Sequence, residues 1–357
     1  MPDTLFHNLQ TQKDIIHQVA FDTYGKRIAT CSSDTTLTVW DKLPDGTWVR
    51  ASAWKVHGGP VWRVIWAHAE FGQILATCSY DKTVSVWSEQ YLRKGDTIDR
   101  EKRKWIRRAS IMGGKANITD MAFAPRHLGL MMALATSAGS LRIFEVHDVM
   151  DLVKWDHLHD LQAFHTRCGC VTWSKSRIHR PLIAVGSDER KSESNERIVI
   201  YEYNETLRKW FRVRAFKVDL PGPVTDIRFS PITTIESHQI AICCKHIVIY
   251  DVRVARSSVL CDDGLPEDRN PVVAEDYVPV KVQELNHDKK AWRVRYNVTG
   301  TDIIVNYYDG SVVFWKMNPA REWQVSSECS PADYAHNKKP TKNSNFMPEL
   351  LHPVHNK

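Results

Sequence analysis

Histidine, serine, aspartate and tryptophan recur in this 357-residue chain at spacings that suit either catalysis or a structural hydrogen-bond chain. His57, Ser79, Asp81 and Trp87 form one set, and His287, Asp309 and Trp315 a second. Asp34 and Trp40 repeat part of it, with Gln12 in the His position. A His, Ser and Asp together are the raw material of nucleophilic catalysis, in which a base takes the hydroxyl proton and an acid orients the base. Here, however, each Asp lies six residues before a Trp: Asp34 before Trp40, Asp81 before Trp87, Asp309 before Trp315. An indole N–H only donates. A His, a strand Ser or Thr, a turn Asp and a Trp can therefore link into a buried chain that fixes a turn. An Asp locked in such a chain is a poor acid or base.

No other pattern competes for chemistry. The sequence has no GxxxxGKS/T loop, no GxGxxG after a strand, no GxSxG elbow and no HExxH. Cys168 with Cys170, and Cys243 with Cys244, have the wrong spacing for a CxxC zinc half-site and read as buried thiols. The expectation is a non-enzyme with no catalytic residue, no cofactor and no metal.

The elements that hold these residues repeat. RIATCSSDTTLTVWD (Arg27 to Asp41) aligns with ILATCSYDKTVSVWS (Ile74 to Ser88). Each is an alternating strand, a turn with an Asp, and a second alternating strand ending in Trp. YYDGSVVFW closes the series at Trp315, and degenerate copies end at Phe144–Glu145, Tyr201–Glu202 and Tyr250–Asp251. Another alternating strand precedes each hairpin: IHQVAF, VWRVIW, ITDMAF, GCVTW, VTDIRF and AWRVRY. Period two marks a strand with a buried face. A fourth, amphipathic strand follows each, from WVRASAWKV to EWQVSSE.

Six repeats of four strands, about 52 residues each, predict an all-β, six-bladed β-propeller. One such sheet cannot bury either face alone, and radial stacking covers both. The expected organisation is an N-terminal extension over 1–13, a propeller over 14–327 and a flexible C-terminal tail over 328–357.

The net charge of +6 is a mild bias over this length and gives no dense nucleic-acid face. The basic run RKGDTIDREKRKWIRR (Arg93 to Arg108) reads as a solvated loop entering a fourth strand, with an import or phosphate-contact patch as the alternative. The longest apolar stretch, Leu128 to Leu141, is too short to span a membrane, and no secretory signal is visible. With eight dispersed cysteines, this points to the cytosolic or nuclear side.

Many propellers close by sharing a strand between first and last blades. Here each repeat brings its own four, so the expected ring is open, with unstitched first and sixth blades. Uncovered apolar faces invite a partner that donates strands. The candidate interface is Ile16, Val19 and Phe21 in the first repeat and Trp292, Val294 and Tyr296 in the sixth. Pairing of residues 4–10 with the sixth repeat would instead close the ring.

VWRVIWAHAEFGQILATCSYD (Val61 to Asp81) resembles a segment of the Sec-thirteen type WD-repeat proteins of vesicle coats and nuclear pores. FAPRHLGLMMALATSAGSLRIFE, HDVMDLVKW, LIAVGSDE and AWRVRYNVTGT are similar to the nucleoporin branch, the Seh type. The resemblance implies a non-enzymatic scaffold subunit of the nuclear pore Y-complex, at the nuclear envelope. It implies an open propeller completed in trans by an α-solenoid nucleoporin, and contact with other Y-complex nucleoporins. It further implies a GATOR-type complex upstream of TOR signalling, a lysosomal location with it, and visits to mitotic kinetochores. Two alternatives stand beside it. One is a vesicle-coat propeller. The other is a ubiquitin-ligase adaptor, suggested by Tyr250-Asp251-Val252-Arg253, although no Asp marks the turn before it.

Overall fold

The computed structural model describes residues 9, 14–94, 97–189, 196–214, 216–255 and 276–332. The first blade is β1 (Ile16–Phe21), β2 (Arg27–Ser32), β3 (Thr36–Lys42) and β4 (Trp48–Lys55). The second is β5 (Val61–Trp66), β6 (Ile74–Ser79), β7 (Thr83–Lys94) and β8 (Thr97–Met112). The third is β9 (Ile118–Phe123), β10 (Leu130–Thr136), β11 (Ser140–Val146) and β12 (Asp156–Gln162). The fourth is β13 (Cys170–Trp173), β14 (Leu182–Gly186), β15 (Ile198–Asn204) and β16 (Lys209–Arg212). The fifth is β17 (Asp226–Thr233), β18 (Ser237–Cys243), β19 (Ile247–Ala255) and β20 (Asp276–Leu285). The sixth is β21 (Ala291–Tyr296), β22 (Asp302–Tyr307), β23 (Val312–Met317) and β24 (Trp323–Cys329).

Every blade is an antiparallel sheet of four consecutive strands, so among the described residues no strand is exchanged between blades. The extension over 1–13, apart from residue 9, and the tail beyond 332 lie outside the described residues.

The core is distributed. Alternation gives each sheet two apolar faces, and each hydrophobic cluster is built from facing sides of two neighbours. Val39 and Leu37 meet Val64 and Leu75 between the first and second blades. Equivalent clusters join the second to the third, the third to the fourth, the fourth to the fifth and the fifth to the sixth. Among the described residues no such cluster joins the sixth back to the first.

The hairpin between middle strands turns through a residue in the left-handed region. Gly139 and Gly310 hold it in the third and sixth blades, and Thr35 and Lys82 in the first and second. The basic run belongs to an element the sequence reading did not expect. It is not a loop: β7 and β8 extend together, with Lys94 opposite Thr97. The hairpin reaches the first blade. Arg103 Nη2 lies 2.7 Å from Asp41 Oδ2, and Arg27 bridges Asp41 and Glu89 at 2.7 Å each. Part of the run's charge is therefore spent on joining two blades.

Candidate functional site

The second blade wires its His, Thr, Asp and Trp together. His57 Nδ1 lies 3.0 Å from Asp81 Oδ2, and His57 Nε2 lies 2.9 Å from Thr77 Oγ1. Trp87 Nε1 donates to the same Thr77 oxygen at 3.3 Å. Thr77 thus replaces Ser79 as the link expected from sequence. Ser79 Oγ instead donates to Pro60 O at 2.8 Å and accepts from the Asp81 N–H at 3.2 Å. Both residues alternate on β6 two positions apart, and only the one opposite Ser85 reaches the indole. Burial lowers the His57 pKa although Asp81 opposes it, so the ring is neutral and structural.

Asp81 has a second task that spacing did not reveal. Its Oδ1 accepts the Thr83 N–H at 3.0 Å and the Thr83 hydroxyl at 2.6 Å. Asp34 does the same with Thr36 at 2.9 and 2.6 Å, and Asp309 with Ser311 at 3.0 and 2.6 Å. The Asp is first a turn cap. In the first blade Thr30 Oγ1 donates to Thr38 O, and Trp40 Nε1 has no partner among the described residues. Gln12 lies outside the described residues.

The sixth blade does not form the set expected of it. His287 stacks on Tyr307 with ring centroids 4.5 Å apart, and its Nε2 is 3.7 Å from Glu328 Oε2. Lys289 Nζ, not His287, sits on Asp309 Oδ2 at 3.0 Å. Val305 occupies the register of Thr77, so the hydroxyl that joins histidine to tryptophan in the second blade is missing at that position.

The inner strands carry a separate network. Counted along the aligned repeats from Ile16, Val61, Ile118, Cys168, Val224 and Ala291, the third residue of one blade's inner segment accepts the N–H of the fourth residue in the next. Gln18 Oε1 takes Val64 N–H at 3.3 Å, Asp120 Oδ2 takes Val171 N–H at 3.1 Å, and Asp226 Oδ2 takes Val294 N–H at 3.2 Å. Arg63 Nε pairs with Asp120 Oδ1 at 3.1 Å. Arg228 and Arg295 both pair with Asp226. Burial alone would raise the Asp226 pKa, but Arg228, Arg295, Arg293 and Arg63 hold it below the usual carboxylate range. The fourth residue of each inner strand therefore faces the preceding blade.

That direction identifies the uncovered faces. Val64, Met121, Val171, Ile227 and Val294 are at most 2% exposed, whereas Val19 is 50% exposed. Phe21 is 58% exposed, against 4% for Trp173 and Phe229. Ile16 is half-buried, and β2 behind it is buried throughout. On the sixth blade, β22 and β23 alternate between buried and half-buried residues. Ile304, Asn306, Val312 and Phe314 supply the half-buried side, whereas β6 and β14 are buried at every position.

The sequence reading of the sixth-blade interface is corrected here. Val294 is fully buried in the cluster shared with the fifth blade. Tyr296 packs on the same cluster, and its hydroxyl reaches Gln239 Oε1 at 3.5 Å. Trp292 packs edge-on against Tyr308 at 4.8 Å, beside an irregularity in β21. The side turned to the gap is led by Arg293 and Ile304, whereas Arg295 reaches back to Asp226 of the fifth blade. In the adaptor-like tetrapeptide, Tyr250 and Val252 are buried between the fourth and fifth blades.

The WD domain, G-beta repeat family matches residues 4–41 and 44–88. Those residues hold two of the three repeats with the six-residue Asp-to-Trp spacing, and the third, Asp309 to Trp315, lies outside them. Along nearly its whole length the chain is 50% identical to Nucleoporin SEH1 of Caenorhabditis elegans, over 329 residues, 92% of this chain and 90% of that protein. Nucleoporin SEH1 of Caenorhabditis briggsae is 47% identical over 92% of this chain and 89% of its own length. The human Nucleoporin SEH1 is 39% identical over 316 residues, covering 88% and 85%. The chain belongs to the SEH1 nucleoporin family.

Proposed function

We propose that the chain is a non-enzymatic scaffold subunit of the nuclear pore Y-complex, an open propeller completed in trans by a blade from an α-solenoid nucleoporin. The observation that carries this reading is the pair of faces that lack a neighbour among the described residues. Val19 and Phe21 are exposed on one side of the gap, and Ile304, Val312 and Phe314 are half-buried on the other. Their equivalents elsewhere in the ring form the interblade cores. A donated four-stranded sheet has two apolar faces and would bury both sides at once. A GATOR-type assembly linked to TOR signalling would use the same gap, and one gap accepts one blade at a time.

Hydrogen exchange on the chain with and without the α-solenoid partner tests the reading. Protection is expected to rise in β1 and in β21 to β23 and to change little in the third and fourth blades. Uniform protection, or a closed monomer with residues 4–10 paired to the sixth blade, would overturn it.

A further inference from the structure

The third residues of the inner strands alternate in character around the ring. Gln18, Asp120 and Asp226 are acceptors in the first, third and fifth blades, and each takes an N–H from the following blade. Arg63, Cys170 and Arg293 hold this position in the second, fourth and sixth, and none is a carboxylate or amide. Asp120 shows how an aspartate completes the pattern after an arginine. One oxygen takes Arg63 of the preceding blade and the other takes Val171 N–H of the following blade, each at 3.1 Å.

Arg293 stands in the register of Arg63 but has no following blade. Its guanidinium makes no hydrogen bond or ion pair to a described residue, although Arg63, Arg228 and Arg295 beside it are all paired. Burial, and then the charges of Arg63 and Arg295, pull its pKa down to about 9, so it remains charged at neutral pH. Around the channel, among the described residues, the arginines 63, 228, 293 and 295 interact with Asp120 and Asp226, and Arg63 also with Asp188, whose pKa burial raises. His17 at the same opening is pushed toward its neutral form, chiefly by burial and further by Arg293 and Arg63, against the opposing charge of Asp14. Across the gap, Val19 occupies the position of Val64, Val171 and Val294, whose N–H groups each receive an acceptor from the preceding blade.

We infer that the blade received in trans carries an aspartate at the third position of its inner strand, with one carboxylate oxygen on Arg293 and the other on the Val19 N–H. This rests on completion of the ring in trans and adds the chemistry that selects the partner. A carboxylate supplies both missing interactions and offsets the surplus positive charge. A glutamine would supply only the acceptor, and an arginine or lysine would be repelled.

The test uses the full chain co-expressed with its α-solenoid nucleoporin partner. Affinity and its salt dependence are measured for the unmodified chain and for Arg293→Gln, Arg293→Glu, Arg293→Lys and Val19→Glu. Arg293→Gln is expected to weaken binding about 10-fold or more, and Arg293→Glu at least about 100-fold. Arg293→Lys is expected to keep most of the affinity. Replacing the partner's third-position aspartate by arginine should restore binding to the Arg293→Glu chain. Since Arg293 is unpaired, its variants should melt at or above the temperature of the unmodified chain, which separates a binding effect from unfolding. Unchanged affinity in Arg293→Gln, or no carboxylate at that partner position, overturns the inference. If Val19→Glu abolishes binding in that case, completion in trans stands and only the aspartate falls. If Val19→Glu also binds normally, the trans-completed ring itself falls.

Discussion

The second and sixth blades carry the same three residue types, with Asp and Trp six positions apart in both, and use them differently. In the second, Thr77 accepts from Trp87 and meets His57, and His57 meets Asp81. In the sixth, Val305 breaks the link, Tyr307 stacks on His287, and Lys289 takes Asp309. Among the described residues the second blade is covered by neighbours on both sides and the sixth on one. Two lessons follow. The hydroxyl in mid-strand, not the end residues, decides whether the chain of bonds exists. And a blade's identity is set as much by what lies against it as by its own letters.

Exposed and covered versions of one position give the largest expected contrast. Val64→Glu would place a carboxylate in a fully buried interblade core, costing on the order of 4 kcal/mol or more and unfolding much of the protein. Val19→Glu, at the same register on a half-exposed site, should change the stability of the free chain by less than about 0.5 kcal/mol. Equal losses in urea unfolding would mean the gap is covered within the chain.

Next in size is the hydrogen-bond link. Thr77→Val should cost about 1–3 kcal/mol, because His57 Nε2 and Trp87 Nε1 lose their shared partner. The reverse change, Val305→Thr, should move stability by no more than about 0.5 kcal/mol, since His287 is turned to Tyr307 and Glu328. A large gain from Val305→Thr would show that the sixth blade can be rewired by one hydroxyl.

Covered interfaces should also be acid-sensitive. His238 is fully buried between the fourth and fifth blades, bonded to Ser174 Oγ at 2.8 Å, and burial together with His179 pushes its pKa down to about 3. The folded state therefore holds this ring neutral while the unfolded chain protonates it near 6.5. The stabilisation is complete above about pH 6.5 and falls as pH drops, by about 1.4 kcal/mol per unit, until the folded pKa is reached. His57 shifts in the same direction and adds to the slope. Urea midpoints at pH 7.5 and 5.5 should differ by roughly 1 kcal/mol more in the unmodified chain than in His238→Gln. An unchanged pH slope in that variant would show that His238 is not the titrating group.

The smallest contrast lies in the turns. Thr35 adopts φ 70° where the sixth blade has Gly310 at φ 84°. Thr35→Gly should stabilise by about 0.5–1 kcal/mol and Gly310→Thr should destabilise by about 1 kcal/mol. Opposite signs in thermal melts would mean that the cap from Asp34 to Thr36 compensates the strain.

Much of the fold was legible because it is local. Period-two alternation in IHQVAF, VWRVIW, ITDMAF and AWRVRY marked four inner strands to the residue, and the six-residue spacing of Asp and Trp marked the hairpins. The turn-capping role of Asp34, Asp81 and Asp309 is equally local, lying in the Thr or Ser two residues on. Thr77 was missed because Ser79 lies nearer to Asp81 in sequence, and only the pairing of β6 with β7 shows which hydroxyl faces the indole. The basic run was misread because its acids interrupt the charge pattern, while its pairing with β7 is visible only in the sheet.

The sequence by itself determined that there are six four-stranded sheets, each with two faces to cover. It did so because strand alternation and hairpin turns depend on residues a few positions apart. Which way each face looks was decided by the tertiary structure alone. Val19 and Val294 are the same residue type at the same place in the repeat, and nothing in alternation tells them apart. The ring runs in one direction, so the fourth residue of every inner strand packs against the blade before it. Val294 has the fifth blade there and is buried, and Val19 has no such blade among the described residues and is half exposed.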